Sequence, residues 1–211
     1  MSTLARMKRN YQGLRVAVGY SATRFSTPMG RLRNFWKFRA IRRLLARCEP
    51  LDRILDIPCG TGRFTSRLPS RSTIGVDVSL QMLREAERSA RGQVAFVQGD
   101  VDDLPFRSGA FDCVLTIRFL RHLPRSERVK VLGRLREVSQ GGMIFDFVHR
   151  SSWKALVGRV RSSLGFRVKA RERLSCDEVA EELREAGLRP VAMLPCFQFW
   201  SEKWVVLAER G

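Results

Sequence analysis

The chain has 211 residues, 44% of them hydrophobic and 28% charged, which suits one globular α/β domain with a full core. It holds no run of about 18–20 consecutive apolar residues, and the basic start Met1–Asn10 lacks the apolar segment of a secretory signal, so we expect neither a membrane-spanning nor a secreted protein. The five cysteines form no CxxC motif or Cys/His cluster, which argues against a metal site and predicts reduced thiols in the cytoplasm.

The formal net charge of +18 is concentrated in two segments. Residues 1–47 contribute +12 and contain no acid, residues 150–173 contribute +7, and the rest of the chain sums to −1. Arginine makes up 33 of the 39 basic residues, which a GC-rich genome can produce without any functional reason. The location of the charge is therefore more informative than its total.

Two basic amphipathic helices are predicted at the start of the chain. A first apolar stripe at helical spacing runs from Leu4 through Tyr11 to Val18, and a second runs from Leu32 to Cys48. We expect these helices to form a basic N-terminal cap over residues 1–48, in front of a main domain over residues 49–211.

From Asp52 onwards, apolar strands alternate with helical stretches, which is typical of a parallel sheet covered by helices. The predicted strands are Arg53–Ile57, Thr73–Val78, Val94–Gln98, Phe111–Ile117 and Met143–Val148, closed by an antiparallel pair at Ala192–Leu194 and Trp204–Leu207. A first helix is predicted to open at Phe64–Leu68. Three more are predicted at Leu80–Arg91, at Pro124–Val138, and from the Ser175 capping box to Gly187. A further basic amphipathic helix is expected as an insertion at about 150–173.

The run from Ile54 to Gly62, ILDIPCGTG, carries the main functional signal. An acid, Asp56, ends a strand, and a GxG turn follows, where glycines let the backbone approach a ligand closely. The next strand ends in Asp77, which can accept hydrogen bonds from ribose hydroxyls. The third strand is followed by Asp100-Val101, which offers a carboxylate and an N–H group to an adenine edge. These features predict an adenosine site at the carboxyl ends of neighbouring strands.

With these motifs the chain resembles the class I S-adenosylmethionine-dependent methyltransferases over roughly residues 52–148. The resemblance is carried by DIPCGTG, GVDVS, QGDVDDLPF and FDCVLTIRFLRHL, and the last of these is most similar to the ubiquinone/menaquinone C-methyltransferase branch. It implies a Rossmann-like, seven-stranded, mostly parallel sheet flanked by helices, and S-adenosyl-L-methionine as the cofactor. The usual proline-glycine-glycine turn before the fifth strand is replaced here by Ser139-Gln140-Gly141-Gly142.

The resemblance also implies which positions bind the cofactor. The methionine end would be lined by the Gly-rich turn, the ribose would be held by the acid that ends the second strand, and the adenine would lie against the residues after the third. The implied positions are Asp56, Gly60, Thr61, Gly62, Asp77, Val78, Asp100, Val101 and Ile117. Separately from the resemblance, Arg24 is a candidate partner for the carboxylate of the cofactor or for an acidic substrate.

Candidate catalytic residues are fewer. Arg118 follows the fourth strand, where members of the family commonly face the acceptor, and either pairs with an anionic group of the substrate or points to solvent. His149 follows the fifth strand and would face the site as a general base if the strand ends there. His122 is the other histidine of the chain and a second candidate base.

The basic segments leave the acceptor open. The first hypothesis is a methyltransferase for a small or lipid-like acceptor, working in the cytoplasm or peripherally at the inner, anionic face of a membrane. An RNA methyltransferase ranks second, because no RNA-binding module is recognisable. A non-catalytic cofactor-binding or scaffold protein ranks third. The oligomeric state stays open at this point.

Overall fold

The computed structural model describes residues 3–11, 27–48, 50–150, 172–197 and 201–211. Arg24 and most of the basic segment expected at about 150–173 lie outside these residues, as does the second half of the first predicted helix. In the described parts of the chain, no helix is both long enough and apolar enough to cross a lipid bilayer.

One sheet of seven strands, counted within the described residues, forms the centre of the fold. The strands are β1 (Arg53–Asp56), β2 (Ser72–Asp77), β3 (Val94–Gln98), β4 (Phe111–Thr116), β5 (Ser139–Val148), β6 (Leu188–Pro195) and β7 (Lys203–Arg210). Their order in the sheet is β3-β2-β1-β4-β5-β7-β6, with β1 to β5 parallel and β7 antiparallel to both of its neighbours. This confirms the predicted Rossmann-like, mostly parallel sheet and its antiparallel closing pair.

Five α-helices accompany the sheet in the described residues: α1 (Thr3–Tyr11), α2 (Pro28–Leu45), α3 (Leu80–Ser89), α4 (Arg125–Val138) and α5 (Cys176–Glu185). One apolar cluster combines the buried face of α2, such as Ile41 and Leu44, with Ile54, Leu115 and Ile144 of the sheet. The other cluster lies across the sheet and includes the buried side chains of α4 and α5. The second N-terminal helix is therefore one layer of the fold.

Two predicted helix starts are confirmed by their caps. The Ser79 side chain accepts a hydrogen bond from the Met82 N–H group at the start of α3, which places this helix directly after β2. Ser175 and Glu178 form the predicted capping box at the start of α5.

The helix predicted to begin in Phe64–Leu68 is wrong. The chain forms only a short 3-10 helix, Thr65–Arg67, and Leu68 returns to an extended conformation with ψ of 137°. Proline disfavours the α conformation in the residue before it, so Pro69 ends the turn at once. As a result, the Gly-rich turn is followed by a compact loop.

The fifth strand begins earlier than predicted. β5 starts at Ser139, so Ser139-Gln140-Gly141-Gly142 is the first part of a strand and not a turn. A Cβ at Gly141 would overlap the Asp112 carbonyl oxygen, and one at Gly142 would lie 2.8 Å from Cys48 Sγ. Both glycines are therefore required by close packing inside the sheet.

Candidate active site

A cavity opens at the carboxyl ends of β1, β2 and β4, which is where ligands bind in open α/β sheets. The space that it encloses, together with its opening to solvent, is about 1030 Å³. Met7 of α1 lines it from above, because Glu127 at the start of α4 accepts hydrogen bonds from the Thr3 and Leu4 N–H groups, at 2.9 and 2.8 Å. The other lining residues are Asp56, Ile57, Pro58, Cys59, Gly60, Thr61, Arg63, Phe64, Asp77, Val78, Met82, Gly99, Val101, Ile117, Arg118, Phe119 and His122.

The Gly-rich turn is held open by Asp77. Gly60 adopts a positive φ of 57°, which favours glycine, and its N–H group donates to Asp77 Oδ2 at 2.9 Å. The other carboxylate oxygen of Asp77 accepts from the Ser79 N–H group at 2.9 Å. A Cβ added at Gly60 would meet no atom within 4 Å, so this backbone is open to a ligand in the cavity. Asp77 thus joins the turn to the start of α3 and retains further acceptor capacity.

Asp56 lies deeper in the same wall. It is 2% exposed, and the Thr65 hydroxyl donates to its Oδ2 at 2.6 Å. Burial raises the pKa of Asp56 to about 7; the Thr65 hydrogen bond opposes this shift and the negative charge of Asp77 adds to it. Burial also raises the pKa of Asp77, although its N–H donors oppose the shift. Two carboxyl groups with raised pKa values therefore face the cavity, and a bound cation would stabilise their ionised forms.

Gly62 and Asp100 are near the cavity but are not among the described residues that line it. Gly62 has a φ of 67°, and a Cβ there would lie 2.9 Å from Ala86 Cβ, so this glycine lets α3 pack against the turn. One Asp100 carboxylate oxygen accepts from the Asp102 N–H group at 2.9 Å, which shapes the loop after β3. Val101, the next residue, is buried and lines the cavity.

Arg118 lies between this cavity and a second cavity, which is lined by residues of α2 and by residues next to β6 and β7. It is a non-glycine residue with a φ of 66°, a conformation that costs energy and is held here by a hydrogen bond from its N–H group to Asp146 Oδ1. Its guanidinium donates to Asn34 Oδ1 at 2.8 Å. Arg118 lines both cavities, so its side chain is directed into the interior of the site and does not extend freely into solvent.

Asp146 supports this junction from β5. It is 1% exposed and forms an ion pair with Lys37 of α2, itself 2% exposed. Burial alone would raise the pKa of Asp146, but Lys37, Arg121 and the Arg118 N–H group outweigh it and hold the pKa below its usual value. Sequence reasoning missed this pair, because nothing in the local pattern around either residue links α2 to β5.

The two histidines occupy different environments. His149 stacks on Trp204, with ring centroids 4.5 Å apart, and is not among the described residues that line the cavity. The strand does end before His149, as the prediction required, but the residue is paired to the segment before α5 through a bridge with Leu174. His122 does line the cavity, and its Nε2 accepts a hydrogen bond from Arg121 Nε at 3.3 Å.

The strand-end carboxylates and the Gly-rich turn place this part of the chain in a known family. A family model described as "Methyltransferase domain" matches residues 54–142. These residues belong to the class I S-adenosylmethionine-dependent methyltransferases. The family resemblance predicted from the motifs is thereby confirmed, and the methyltransferase domain contains β1 to β4 and the first residues of β5.

Relatives with curated names extend the match beyond this domain. The chain is 30% identical to 27-O-demethylrifamycin SV methyltransferase of Amycolatopsis mediterranei, over 75% of this chain and 62% of the relative. It is 34% identical to the ubiquinone/menaquinone biosynthesis C-methyltransferase of Azotobacter vinelandii, over 65% of this chain and 57% of the relative. The chain thus spans about 60% of the length of these relatives.

The fold is shared with a solved methyltransferase. The structure of magnesium protoporphyrin IX methyltransferase from Synechocystis PCC 6803 with bound S-adenosylmethionine superposes with a TM-score of 0.73 at 15% identity, covering 100% of this chain and 98% of that chain. At this identity the likeness establishes the fold of the methyltransferase domain and its surrounding helices.

Proposed function

We propose that the protein binds S-adenosylmethionine in the cavity at the ends of β1, β2 and β4 and transfers its methyl group to a small-molecule acceptor. The observation that carries the proposal is the hydrogen bond between the Gly60 N–H group and Asp77, at the open wall of that cavity. The names of the relatives support a small-molecule acceptor, since they refer to rifamycin, quinone and porphyrin methyltransferases.

The residues of the cavity fit the proposed cofactor. Asp77 has acceptor capacity for ribose hydroxyls, and Asp56 offers a carboxyl group to the cationic methionine end. Val78, Val101 and Ile117 provide an apolar surface for the adenine ring. Gly60 and Thr61 leave the backbone of the turn exposed to the ligand, whereas we assign Gly62 a packing role beneath it.

When bound, S-adenosylmethionine supplies a methyl group activated by a sulfonium for in-line displacement. The protein's own contribution would then be mainly alignment of the acceptor with that group. Met7 and Phe64 contribute apolar side chains to the lining of the cavity. For a hydroxyl or acidic-carbon acceptor, His122 could accept the proton at Nε2 once this atom has released the hydrogen bond that it accepts from Arg121. We favour His122 over His149 for this role because His122 lines the cavity.

Peripheral attachment to an anionic membrane is a second element of the proposal. On α2, Met29 and Phe35 are 60% and 59% exposed, and Leu32 between them is 49% exposed. The exposed Arg31 and Arg33 flank these apolar side chains. Such a surface suits an interfacial helix that binds anionic lipid. Binding to vesicles containing phosphatidylserine that weakens with salt supports this attachment, and equal binding to neutral vesicles contradicts it.

Transfer of a labelled methyl group tests the proposed activity. The protein is incubated with methyl-labelled S-adenosylmethionine and an extract of its source cells, and the label is followed into lipid, RNA, protein and small-molecule fractions. We expect label in the small-molecule or lipid fraction. Label in RNA would instead favour the RNA methyltransferase hypothesis, and no label with cofactor binding intact would favour a non-catalytic protein.

Two variants make the assay specific. Asp77→Asn should abolish most of the transfer, because one of its two N–H contacts and the ribose acceptor are lost together. Asp52→Asn is the matched control, since Asp52 is exposed and lies just before β1, at the opposite end of the strand from the cavity.

A further inference from the structure

A second cavity lies beside the first, between α2, the end of β4, and the residues that follow β6 and precede β7. Its open volume is about 740 Å³. Arg118 lines both cavities, so the two meet at this residue. The other lining residues are Met29, Leu32, Arg33, Trp36, Lys37, Cys196, Phe197, Ser201, Glu202 and Lys203.

The charges of this cavity are not balanced. Four cations and one carboxylate line it. Lys37 is neutralised by Asp146, and the one lining carboxylate, Glu202, lies 3.5 Å from Arg173. Lys203 is a further lining cation, and across residues 3–11, 27–48, 50–150, 172–197 and 201–211 no carboxylate oxygen lies within 4 Å of its Nζ.

Lys203 experiences this imbalance directly. Its pKa is lowered to about 8, mainly by burial and additionally by repulsion from Lys37, Arg121 and Arg118, and the negative charge of Asp146 only partly compensates. The other titratable groups that line the same cavity are Cys196, Glu202 and Arg33. A bound anion would restore the pKa of Lys203 towards its ordinary value, and by linkage the protonated lysine would strengthen binding of that anion.

The outer part of the cavity is apolar. Trp36 packs edge to face against Phe197, with ring centroids 5.2 Å apart, and against Phe35 at 5.5 Å. Met29, Leu32 and Phe197 are all more than 40% exposed at this mouth. The site thus combines an apolar, aromatic entrance with a cationic interior.

We infer that this second cavity binds the methyl acceptor, and that the acceptor is an amphiphile whose anionic group is held by Lys203 and Arg118 while its apolar body lies against Trp36 and Phe197. This inference rests on the proposed methyltransferase function and specifies its substrate class. Arg118 places the anionic end of the acceptor at the boundary with the proposed cofactor cavity. A free anionic small molecule of this kind needs no membrane to reach the site.

Decanoate is a suitable probe, compared with decanol of the same chain length, both below the concentration at which they aggregate. In isothermal titration calorimetry at pH 7, we expect decanoate to bind wild-type protein at least about tenfold more tightly than decanol, because its charge is hydrogen-bonded by cations. Lys203→Met should remove most of this difference, whereas Lys130→Met, at an exposed lysine outside the cavity, should preserve it. Equal affinity for the two probes in wild-type protein would overturn the inference.

A second measurement needs no substitution. Between pH 7 and pH 9 Lys203 loses its proton, so decanoate binding should weaken by up to about tenfold while decanol binding stays constant. A constant decanoate affinity over this range would also overturn the inference. The affinity for S-adenosylmethionine, measured in the same samples, should not change with Lys203→Met. If wild-type protein did not bind S-adenosylmethionine at all, that result would refute the proposed function and not the acceptor class.

Discussion

Replacing Asp146 by asparagine removes the negative charge that allows Lys37 of α2 to be buried. Lys37 is 2% exposed and Asp146 is 1% exposed, so water cannot take over the lost interaction. Breaking a buried ion pair on one side costs about 3–5 kcal/mol of unfolding free energy. For a chain of this size, we expect Asp146→Asn to lower the melting temperature by on the order of 10 °C.

A double-mutant cycle separates the pair from its parts. Unfolding in urea, followed by circular dichroism, is compared for wild type, Asp146→Asn, Lys37→Met and the double variant. Since removal of both charges leaves no unpaired ion, the double variant should be more stable than Asp146→Asn alone. The exposed pair Glu85 and Arg88 provides the control: Glu85→Gln should cost no more than about 1 kcal/mol. Additive effects of the two single substitutions would refute the coupling.

Three further predictions concern the turn and the two cavities. Gly62→Ala should destabilise the protein by at least about 1–2 kcal/mol, because its φ is 67° and the new Cβ meets Ala86. Gly133→Ala, in the open interior of α4, should stabilise the protein slightly, and thermal unfolding measures both changes. With a pKa of about 7, Asp56 is mostly protonated at pH 6, so binding of cationic S-adenosylmethionine should release a proton and strengthen from pH 6 to pH 8. Calorimetry in two buffers of different ionisation enthalpy measures the number of protons released on binding. In Asp56→Asn, only the protons released by the ligand's own amine should remain. Finally, because the folded pKa of Lys203 is lower than its unfolded value, the stability of the free protein should rise as pH increases from about 8 to about 10.5, and Lys203→Met should reduce this rise.

Much of the fold could be predicted because strand patterns and caps are local signals. Within the described part of the chain, the alternation of apolar runs located all seven strands, and Ser79 and Ser175 located two helix starts. The errors arose where a local signal was overlooked or where packing overrode it. Pro69 shortened the helix after the Gly-rich turn, and close contacts at Gly141 let β5 continue through what resembled a turn.

The site was predictable only in part, for a similar reason. Asp56, Gly60 and Asp77 follow directly from strand ends, which parallel topology brings to one edge. The environment of His149 could not be read in this way, because Trp204, far away in sequence, covers it. The cationic interior of the second cavity was also hidden, since it combines side chains of α2, β4 and β7 that only the packed sheet brings together.

Direct binding of S-adenosylmethionine tests the central claim most simply. In equilibrium dialysis or calorimetry, wild-type protein and Asp52→Asn should bind one equivalent with the same affinity, and Asp77→Asn should bind at least about tenfold more weakly, since a charge-assisted acceptor is lost from the cavity. Absence of binding to the wild-type protein, or equal binding by Asp77→Asn, would contradict the assignment of this cavity as the cofactor site.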